Sequence, residues 1–315
     1  MVYKWFVIIN PTSGNGTSKK KWPLIFNELQ KQQFDFEFSF SEYKKHSFEL
    51  IQNAILQGFT KFICIGGDGT LHNIINGILS FNQPSTSTSL NNISDIKIGI
   101  IPIGTGNDWV KNYNIPINYK KAIEIIKNEH TIKQDIGKIN LTAQNKIVYF
   151  NNLAGIGFDG YVVHKVHKYK NLGSLAYITG AIVSLTSYKK PMLEIIFNNT
   201  KIKAKTLMLL IGICKFSGGG MQLTKNSNPK DGLFDISFIK KITLLQVIKN
   251  IQNLFNGKIT SHKLVKNYKT SELKVNIIDS QTTYIQADGE LIDSSNFIVS
   301  ILPSTLSFII PSPNS

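Results

Sequence analysis

The chain has 315 residues, which is long for one core and predicts about two domains. Its hydrophobic fraction of 42% is that of a globular protein, and no run approaches the about 18 consecutive apolar residues that cross a bilayer. The net charge of +15 comes from 35 lysines without one arginine, so phosphate recognition has to use backbone amides, lysines, hydroxyl groups and bound metal.

Two features predict a cytoplasmic protein. The amino terminus is unlike a signal peptide, because the polar loop Asn10 to Gly14 interrupts it after one strand length. Cys64 and Cys214 both lie in apolar, strand-like runs, so we expect buried reduced thiols and neither a disulfide nor a metal ligand. Nucleic acid binding is not predicted, since the chain has no recognition helix, zinc spacing or aromatic-basic RNA signature.

Up to about residue 128 the sequence alternates strand and helix patterns, which is typical of a mostly parallel sheet. Residues 82–92, rich in Ser, Thr and Asn, are predicted to form a surface loop before the fourth strand. The predicted strands are 3–9, 35–40, 61–65 and 97–101, and the predicted helices are 18–32, 46–57, 71–80 and 119–128.

Residues 63–71 join an apolar strand to a helix through a glycine-rich turn with one carboxylate. Glycines let the backbone adopt φ values closed to other residues and let a ligand approach the amides, while the helix start favours an anion. Asp68 fits beside a phosphate only when a divalent cation or its water shell lies between them. The alternative is an ordinary strand-to-helix turn of an α/β domain.

Two further apolar strands end in polar, glycine-containing loops. The first strand leads into Asn10 to Gly14, and the fourth leads into Gly104 to Asp108. Each loop alone is a weak signal, but in an open α/β sheet such loops share the edge where ligands bind. Together, the three loops indicate a nucleotide site.

After about residue 130 the sequence becomes rich in strand patterns, which predicts a second, β-dominated domain. Helix patterns interrupt it only near 161–188 and 243–255. The predicted strands of this half are 136–142, 147–154, 193–197, 203–214, 233–239, 272–278, 282–287 and 297–302.

The chain resembles the soluble diacylglycerol kinase and sphingosine kinase group of lipid kinases, particularly its bacterial diacylglycerol kinase-like members. The resemblance spans nearly the whole chain. It rests on motifs in this order: Asn10 to Gly14, Gly66 to Thr70, Gly104 to Asp108, Gly155 to Asp159, Asp231-Gly232 and Asp288 to Glu290.

The resemblance implies two domains with a cleft between them. Residues 1–130 would form an α/β nucleotide-binding domain of the NAD kinase and phosphofructokinase-like type, with a mostly parallel sheet. Residues 131–303 would form a β-rich sandwich that binds the lipid substrate, and 304–315 a strand that returns to the first domain.

ATP and Mg²⁺ are the implied cofactors. The polar loops suggest most of the nucleotide site, and the resemblance adds Ser41, for which an exposed serine after a strand is an equal alternative, and Glu290. We expect His72 to line the phosphate turn and not to act as a base. The predicted site comprises Asn10, Pro11, Thr12, Ser13, Gly14, Ser41, Gly66, Gly67, Asp68, Gly69, Thr70, Leu71, His72, Thr105 and Glu290.

Asp288 is the candidate general base. A lipid hydroxyl has a pKa far above neutrality, so a carboxylate that accepts its proton late in the transfer assists the reaction. The Asp288-Gly289 pair fits a hairpin turn equally well by spacing alone. In the family this Asp is the proposed base, and Glu290 takes a place at the nucleotide metal, with Asp68 and Asp108 as the other catalytic carboxylates.

A structural metal is predicted at the acidic turn of residues 228–235. Asp231 and nearby backbone carbonyls are oxygen ligands of the kind that Mg²⁺ prefers, although a plain Asp-Gly hairpin remains an alternative. In the family the Asp of this pair binds the ion, and water links it to the positions of Asp68 and Asp108. The predicted metal ligands are Asp231, Leu233 and Asn228.

Residues 161–190 mix apolar and lysine side chains around Gly173-Ser174. This pattern fits a helix pair that presents lysines to lipid headgroups, and equally a solvated helix that covers a β-domain. His164 and His167 have no carboxylate or cysteine at ligand spacing, which argues against a metal there.

The match departs from the family beside two loops. Family members often carry a basic residue after the first loop and an acidic one after the position of His72, where this chain has Asn15 and Asn73. Lys111 is the alternative basic group. These departures put nucleotide affinity and acceptor choice in question, but leave every proposed catalytic carboxylate in place.

The leading functional hypothesis is an ATP- and magnesium-dependent lipid kinase, cytoplasmic and peripheral at the inner membrane surface. It would transfer the γ-phosphate to the hydroxyl of a diacylglycerol-like lipid, giving a phosphatidate-like product; a sphingoid base, monoacylglycerol or polyprenol stays open as acceptor. The expected partners are ATP, the lipid alcohol and an anionic membrane, with homodimer formation left open. The alternatives are a soluble NAD kinase-like enzyme and a non-catalytic, nucleotide-binding regulator at the membrane.

Overall fold

The structure is a computed structural model that describes residues 4–81, 93–166, 184–185, 187–279 and 281–313. The chain forms two compact units, residues 1–134 with 304–315 and residues 135–303. The predicted surface loop 82–92, and most of the predicted helix 161–188, lie outside the described residues. Within the described ranges, no helix is both long and apolar enough to cross a bilayer.

The first unit alternates strands and helices, as predicted. One helix of five residues, which starts at the Gly104 to Asp108 loop, was not predicted because it is too short to show a helical period. In chain order the elements are β1 (Trp5–Ile9), α1 (Thr17–Lys31), β2 (Phe36–Phe40), α2 (His46–Leu56), β3 (Lys61–Gly66), α3 (Asp68–Leu79), β4 (Lys97–Pro102), α4 (Asp108–Asn112) and α5 (Tyr119–Asn128).

The sheet of the first unit is parallel, with the order β2-β1-β3-β4. The last strand of the chain adds to it, since Ser307 and Phe308 pair in parallel with the start of β4. Every residue of β1 is buried, and so are all but the first residue of β3 and of β4. This burial explains their continuous apolar sequences, and the parallel pairing brings the loops after the three strands to one edge.

The second unit is rich in strands, as predicted, and the strands of its six-stranded sheet pair antiparallel. Residues 203–214, predicted as one strand, form two strands, and residues 147–154 bend at Asn151-Asn152. From residue 131 onward the elements are β5 (Thr131–Leu141), β6 (Lys146–Phe150), β7 (Leu153–Gly157), α6 (Phe158–Val166), β8 (Met192–Phe197), β9 (Thr200–Lys205), β10 (Met208–Gly212), β11 (Phe216–Ser217), β12 (Met221–Gln222), β13 (Phe234–Ile239), α7 (Leu244–Lys249), α8 (Ile251–Phe255), β14 (Val265–Thr270), β15 (Glu272–Ile277), β16 (Ile285–Ala287), β17 (Glu290–Ile292) and β18 (Phe297–Ile309).

A six-stranded sheet in the order β14-β13-β10-β7-β16-β17 organises the second unit. Strand β7 lies inside this sheet and is wholly buried, with β10 and β16 as its antiparallel partners. Cys214 follows β10 and Cys64 lies in β3; both are buried and free, as the sequence predicts. The strands β13, β16 and β17 of this sheet position the candidate residues of this unit.

Candidate functional site

The two glycine turns after β3 and β4 lie in direct backbone contact. A Cβ atom added to Gly104 would lie 2.7 Å from the Cα atom of Gly67, closer than real Cβ contacts. The backbone N–H of Ile103 donates to the carbonyl of Gly66 at 2.8 Å, which holds the two turns in register. A side chain at either glycine would separate them.

Asp68 joins these turns through its carboxylate. Its Oδ2 accepts the backbone N–H of Asp108 at 3.0 Å, and its Oδ1 accepts that of Trp109 at 3.1 Å. These are the first two N–H groups of α4, so Asp68 caps that helix from 40 residues away. The sequence predicts Asp68 as a metal-nucleotide ligand, and the structure adds this capping role.

Gly106 lies between two carboxylates. A Cβ atom added there would be 3.0 Å from Oδ2 of Asp68 and 3.4 Å from Oδ2 of Asp108. Lys111 reaches the same loop, donating to the Gly106 carbonyl at 2.9 Å and to Oδ1 of Asp108 at 3.0 Å. Carboxylate oxygens are of the ligand type that magnesium prefers, and Lys111 supplies a cation beside them.

The first loop reaches the same place from β1. The side-chain amide of Asn10 donates to Oγ1 of Thr70 at 3.0 Å, while its Oδ1 accepts the N–H of Thr12 at 3.1 Å. Gly14 has a φ of 58° and lies so close to Ile103 that a Cβ atom would be 3.2 Å from its side chain. The structure therefore brings together the three loops that the sequence singled out. These loops also contain Pro11, Ser13, Gly66, Gly69 and the exposed Thr12 and Thr105.

Three residues of the predicted nucleotide-binding site have buried side chains. Ser41 is 8% exposed and its N–H donates to the carbonyl of Ile9, so the alternative of a solvent-exposed serine is wrong. Leu71 and His72 lie in α3 and are 2% and 6% exposed, and the His72 ring lies 3.3 Å from the amide of Asn76 on the next turn. Since Leu71 packs inside, only its backbone can meet a ligand.

Asp288 and Gly289 form the two-residue turn between β16 and β17. Their φ values are 51° and 78°, and Ala287 pairs with Glu290 across the turn. The hairpin that the sequence left open is thus present. The hairpin is compatible with a chemical role of these residues, because the side chains of Asp288 and Glu290 are partly exposed in the turn.

Three backbone N–H groups orient the Asp288 carboxylate. Oδ2 accepts from Asn151 at 3.1 Å, and Oδ1 accepts from Asn152 at 2.9 Å and from Leu153 at 3.2 Å. The donors lie at the bend between β6 and the start of β7, which is where the single strand predicted over residues 147–154 is interrupted. These backbone N–H groups therefore hold the carboxylate in one orientation.

Asp159 ends the Gly155 to Asp159 motif, has no role predicted from the sequence, and is connected to this turn. Gln286 donates to Oδ2 of Asp159 at 2.5 Å, and its Oε1 accepts the N–H of Gly289 at 2.7 Å. Loss of hydration on burial raises the pKa of Asp159 to about 6, while the bond from Gln286 acts in the opposite direction. The sequence does contain a signal for this contact, because Gln286 is a polar residue inside a buried strand.

An apolar pocket opens beside Asp159 in the second unit. Its cavity volume is about 140 Å³, and its lining is almost entirely aliphatic and aromatic. Asp159 is the one carboxylate among the lining residues. The lining includes Phe158, Val162, Leu210, Ile251 and Leu254.

The acidic turn before β13 binds the side chain of Lys269, which lies on β14. Asp231 accepts the N–H of Leu233 on Oδ1 at 3.1 Å and the ammonium of Lys269 on Oδ2 at 2.8 Å. Lys269 also lies 3.6 Å from Asp235, whose pKa burial raises to about 6. Asn228 uses its side-chain oxygen to accept the N–H of Lys230 at 3.2 Å. Since β13 pairs with β10 and β14, the alternative of a plain hairpin at Asp231 is wrong.

The oxygen donors at this turn suit a hard cation by type, but Lys269 competes with it. A metal ion on Oδ2 of Asp231 would have to displace the ammonium group. The described residues contain no group of three His, Cys, Asp or Glu side chains that could hold a metal. A buried carboxylate that the sequence analysis missed, Asp135, supports the turn by accepting the N–H of Gly232 at 2.8 Å. The metal site at Asp231, Leu233 and Asn228 stays a prediction.

The predicted lysine-rich helix pair can be placed only in part. His164 lies with its ring 4.8 Å from that of Tyr284, and the Lys165 ammonium lies 5.7 Å from the ring centre of Tyr161. His167 and the Gly173-Ser174 break fall outside the described residues.

Comparisons with known proteins match both units. The diacylglycerol kinase catalytic domain matches residues 4–139, and the YegS C-terminal NAD kinase beta sandwich-like domain matches residues 152–310. A diacylglycerol kinase of Bacillus subtilis is 26% identical over 90% of this chain and 88% of its own length. One from Staphylococcus haemolyticus is 28% identical over 90% and 81%. A crystal structure of a diacylglycerol kinase from Bacillus anthracis shares the fold, with a TM-score of 0.70, 19% identity, and coverage of 99% of this chain and 98% of that one.

Proposed function

We propose a specific reaction for this chain, which belongs to the diacylglycerol kinase-like family of lipid kinases: transfer of the γ-phosphate of ATP, with magnesium, to the hydroxyl of a diacylglycerol-like lipid. The product would be a phosphatidate-like lipid. The reaction would take place at a membrane surface, where such acceptors reside.

The observation that carries this proposal is the apolar pocket and its connection to Asp288. An acyl chain gains free energy on leaving water for aliphatic walls, whereas the hydroxyl groups of NAD would lose hydrogen bonds there. Gln286 bridges Asp159 in the pocket wall and Gly289 in the turn beside Asp288. A lipid whose chain enters this pocket would thus have its polar end near the candidate base.

The nucleotide half of the proposal rests on the three loops of the first unit. The backbone of Gly66 to Thr70 opens α3 and offers N–H groups to phosphate, and the Asn10 to Gly14 loop lies beside it. Asp68 and Asp108 would hold the magnesium ion, which would neutralise phosphate charge when bound, and a place for Glu290 at this ion stays a prediction from the sequence. The sequence offers no arginine for this purpose, which leaves Lys111 as the neighbouring cation.

Asp288 would act as the general base. As the lipid oxygen forms its bond to the γ-phosphorus and the bond to the ADP oxygen breaks, the hydroxyl proton passes to the Asp288 carboxylate. The three N–H groups from the β6-β7 bend hold that carboxylate in place.

The substitution Asp288→Asn tests this assignment, because Asn also tolerates the positive φ of the turn. We expect transfer to a lipid in mixed micelles to fall at least about 100-fold, the scale of general-base catalysis, with magnesium-ATP binding near that of the wild type. Asp293→Asn, at an exposed carboxylate of the same unit, is the matched control and should retain activity. Wild-type turnover in Asp288→Asn would show that the base is a different group.

A further inference from the structure

The segment of residues 240–266 is strongly and uniformly basic. It contains six lysines and no Asp or Glu, and all six lysine side chains are exposed. No ion pair in the described part of the chain involves any of them. The lysines are Lys240, Lys241, Lys249, Lys258, Lys263 and Lys266.

The same segment exposes two large apolar side chains among these lysines. Leu245 in α7 is 69% exposed, and Phe255 at the end of α8 is 36% exposed. Single exposed apolar residues are common on protein surfaces, but here both belong to the basic segment. Apolar side chains surrounded by lysines are the composition of an element that lies in a bilayer interface.

The segment also forms much of the wall of the apolar pocket. Half of the lining residues come from it, among them Ile242, Val247 and Ile251. Helices α7 and α8 therefore present apolar side chains to the pocket and Leu245 and Phe255 to the outside. A surface that docks here on lipid would have the pocket directly behind it.

We infer that residues 240–266 are the docking surface for an anionic membrane, through which a lipid reaches the pocket. The inference that this segment binds a membrane rests on its charge and exposure alone. The inference that lipid passes through it rests on the proposed function. Lysine favours this partner, since a diffuse negative surface attracts point charges, each strengthening binding roughly fivefold at low salt. A nucleic acid partner would call for a groove with several stacking aromatic residues, whereas Phe255 is the one exposed phenylalanine, tyrosine or tryptophan among residues 240–266.

Vesicle sedimentation tests the charge requirement. We expect the wild type to bind vesicles containing phosphatidylglycerol and to bind pure phosphatidylcholine vesicles far more weakly. The triple variant Lys240→Gln, Lys241→Gln, Lys249→Gln should bind anionic vesicles roughly 100-fold more weakly. A triple variant of the same net charge, Lys203→Gln, Lys205→Gln, Lys274→Gln, neutralises exposed lysines of β9 and β15 and should lose less than about fivefold. Equal losses in the two variants would overturn the proposal.

A tryptophan at position 245 tests insertion. The native residues Trp5, Trp22 and Trp109 are buried, so brominated lipids should quench the added fluorescence of Leu245→Trp and leave the native signal largely unchanged. Leu56→Trp, at another exposed leucine, is the control and should show no quenching. Absence of quenching at 245 in the bound state would contradict a membrane docking role.

A water-soluble acceptor separates docking from catalysis. With dihexanoylglycerol below its aggregation limit, the triple lysine variant should keep wild-type activity, while its activity on vesicle-bound long-chain acceptor falls with its binding. If the wild type binds vesicles as described but phosphorylates neither acceptor, the proposed function fails and the docking surface stands. If both acceptors lose phosphorylation equally in the variant, delivery of lipid through this surface is wrong.

Discussion

Asp159 is a partly buried carboxylate for which the sequence predicts no role. It lies in an apolar wall, burial raises its pKa to about 6, and Gln286 links it to the Asp288 turn. At neutral pH its negative charge lacks a cationic partner among these contacts. The effect of this charge on the free energy of unfolding can therefore be measured separately from any role of Asp159 in activity.

Removing this charge should stabilise the fold at neutral pH. Asp159 holds its proton more tightly in the folded chain than in the unfolded chain, so the free energy of unfolding falls as pH rises from about 4 to about 6. Asp159→Asn should match the wild type near pH 4 and exceed it at pH 7 by at most about 3 kcal/mol, less where pocket water hydrates the carboxylate. Urea unfolding across pH 4 to 7 measures this.

The control for that experiment is Asp293→Asn, which changes an exposed carboxylate. It should lack the gain at neutral pH. A variant Asp159→Asn that is less stable than the wild type at pH 7 would show that the charged form is favoured in the fold.

At the residue scale, the sequence identified most of the loop residues but not their partners. Asn10, Asp68 and Gly104 could be found because each follows an apolar strand, and the fold brings these positions to one edge. The hydrogen bond from Gln286 to Asp159 joins residues 127 apart, so no local pattern contains it. Lys269 likewise meets Asp231 across 38 residues.

At the scale of elements, α4 depends on a cap from another turn. Its own N-cap residue, Asn107, makes no side-chain capping bond, whereas Asp68 accepts the first two N–H groups of the helix. A five-residue helix has too few internal bonds to be stable alone. The sequence could not predict α4 because its stabilising contact comes from the turn before α3.

Loss of this cap should be visible without nucleotide. Asp68→Ala should lower the free energy of unfolding by about 1–2 kcal/mol, or the melting temperature by about 2–8 °C, and should also weaken magnesium-ATP binding. Glu124→Ala, on the exposed face of α5, serves as the control and should change neither. An unchanged melting temperature in Asp68→Ala would show that α4 does not need the cap.

The acidic turn before β13 allows a second prediction at the scale of elements, on the response of the melting temperature to divalent ions. Lys269 on β14 balances Asp231 and Asp235, so the melting temperature of the nucleotide-free wild type should not respond to Mg²⁺ or Ca²⁺. Lys269→Ala leaves the two carboxylates without that cation, so it should melt lower in a chelator and recover when a divalent ion is added. Lys266→Ala, an exposed lysine of the same strand, is the control.

The opposite result is equally informative. If a divalent ion raises the wild-type melting temperature as much as it raises that of Lys269→Ala, the ion displaces the lysine. The metal site predicted from the sequence at Asp231, Leu233 and Asn228 would then be present.

At the scale of the whole molecule, hydrophobic patterns predicted an α/β unit followed by a β-rich one. The change in pattern near residue 130 lies close to the division at residues 134 and 135 in the structure. Strands β14 and β17 were not predicted, because β14 has only two apolar residues among six and β17 has three residues in all. The pocket could not be predicted either, since its walls come from segments spread between residues 158 and 265.

The central claim is that this chain phosphorylates a lipid alcohol. The most direct measurement is transfer of labelled phosphate from magnesium-ATP to a panel of diacylglycerol, monoacylglycerol, sphingoid base and polyprenol in mixed micelles, beside NAD in free solution. We predict label in a lipid product, most of it in phosphatidate, and none in NADP. Label in NADP alone, or ATP binding without transfer to any lipid of the panel, would contradict the account.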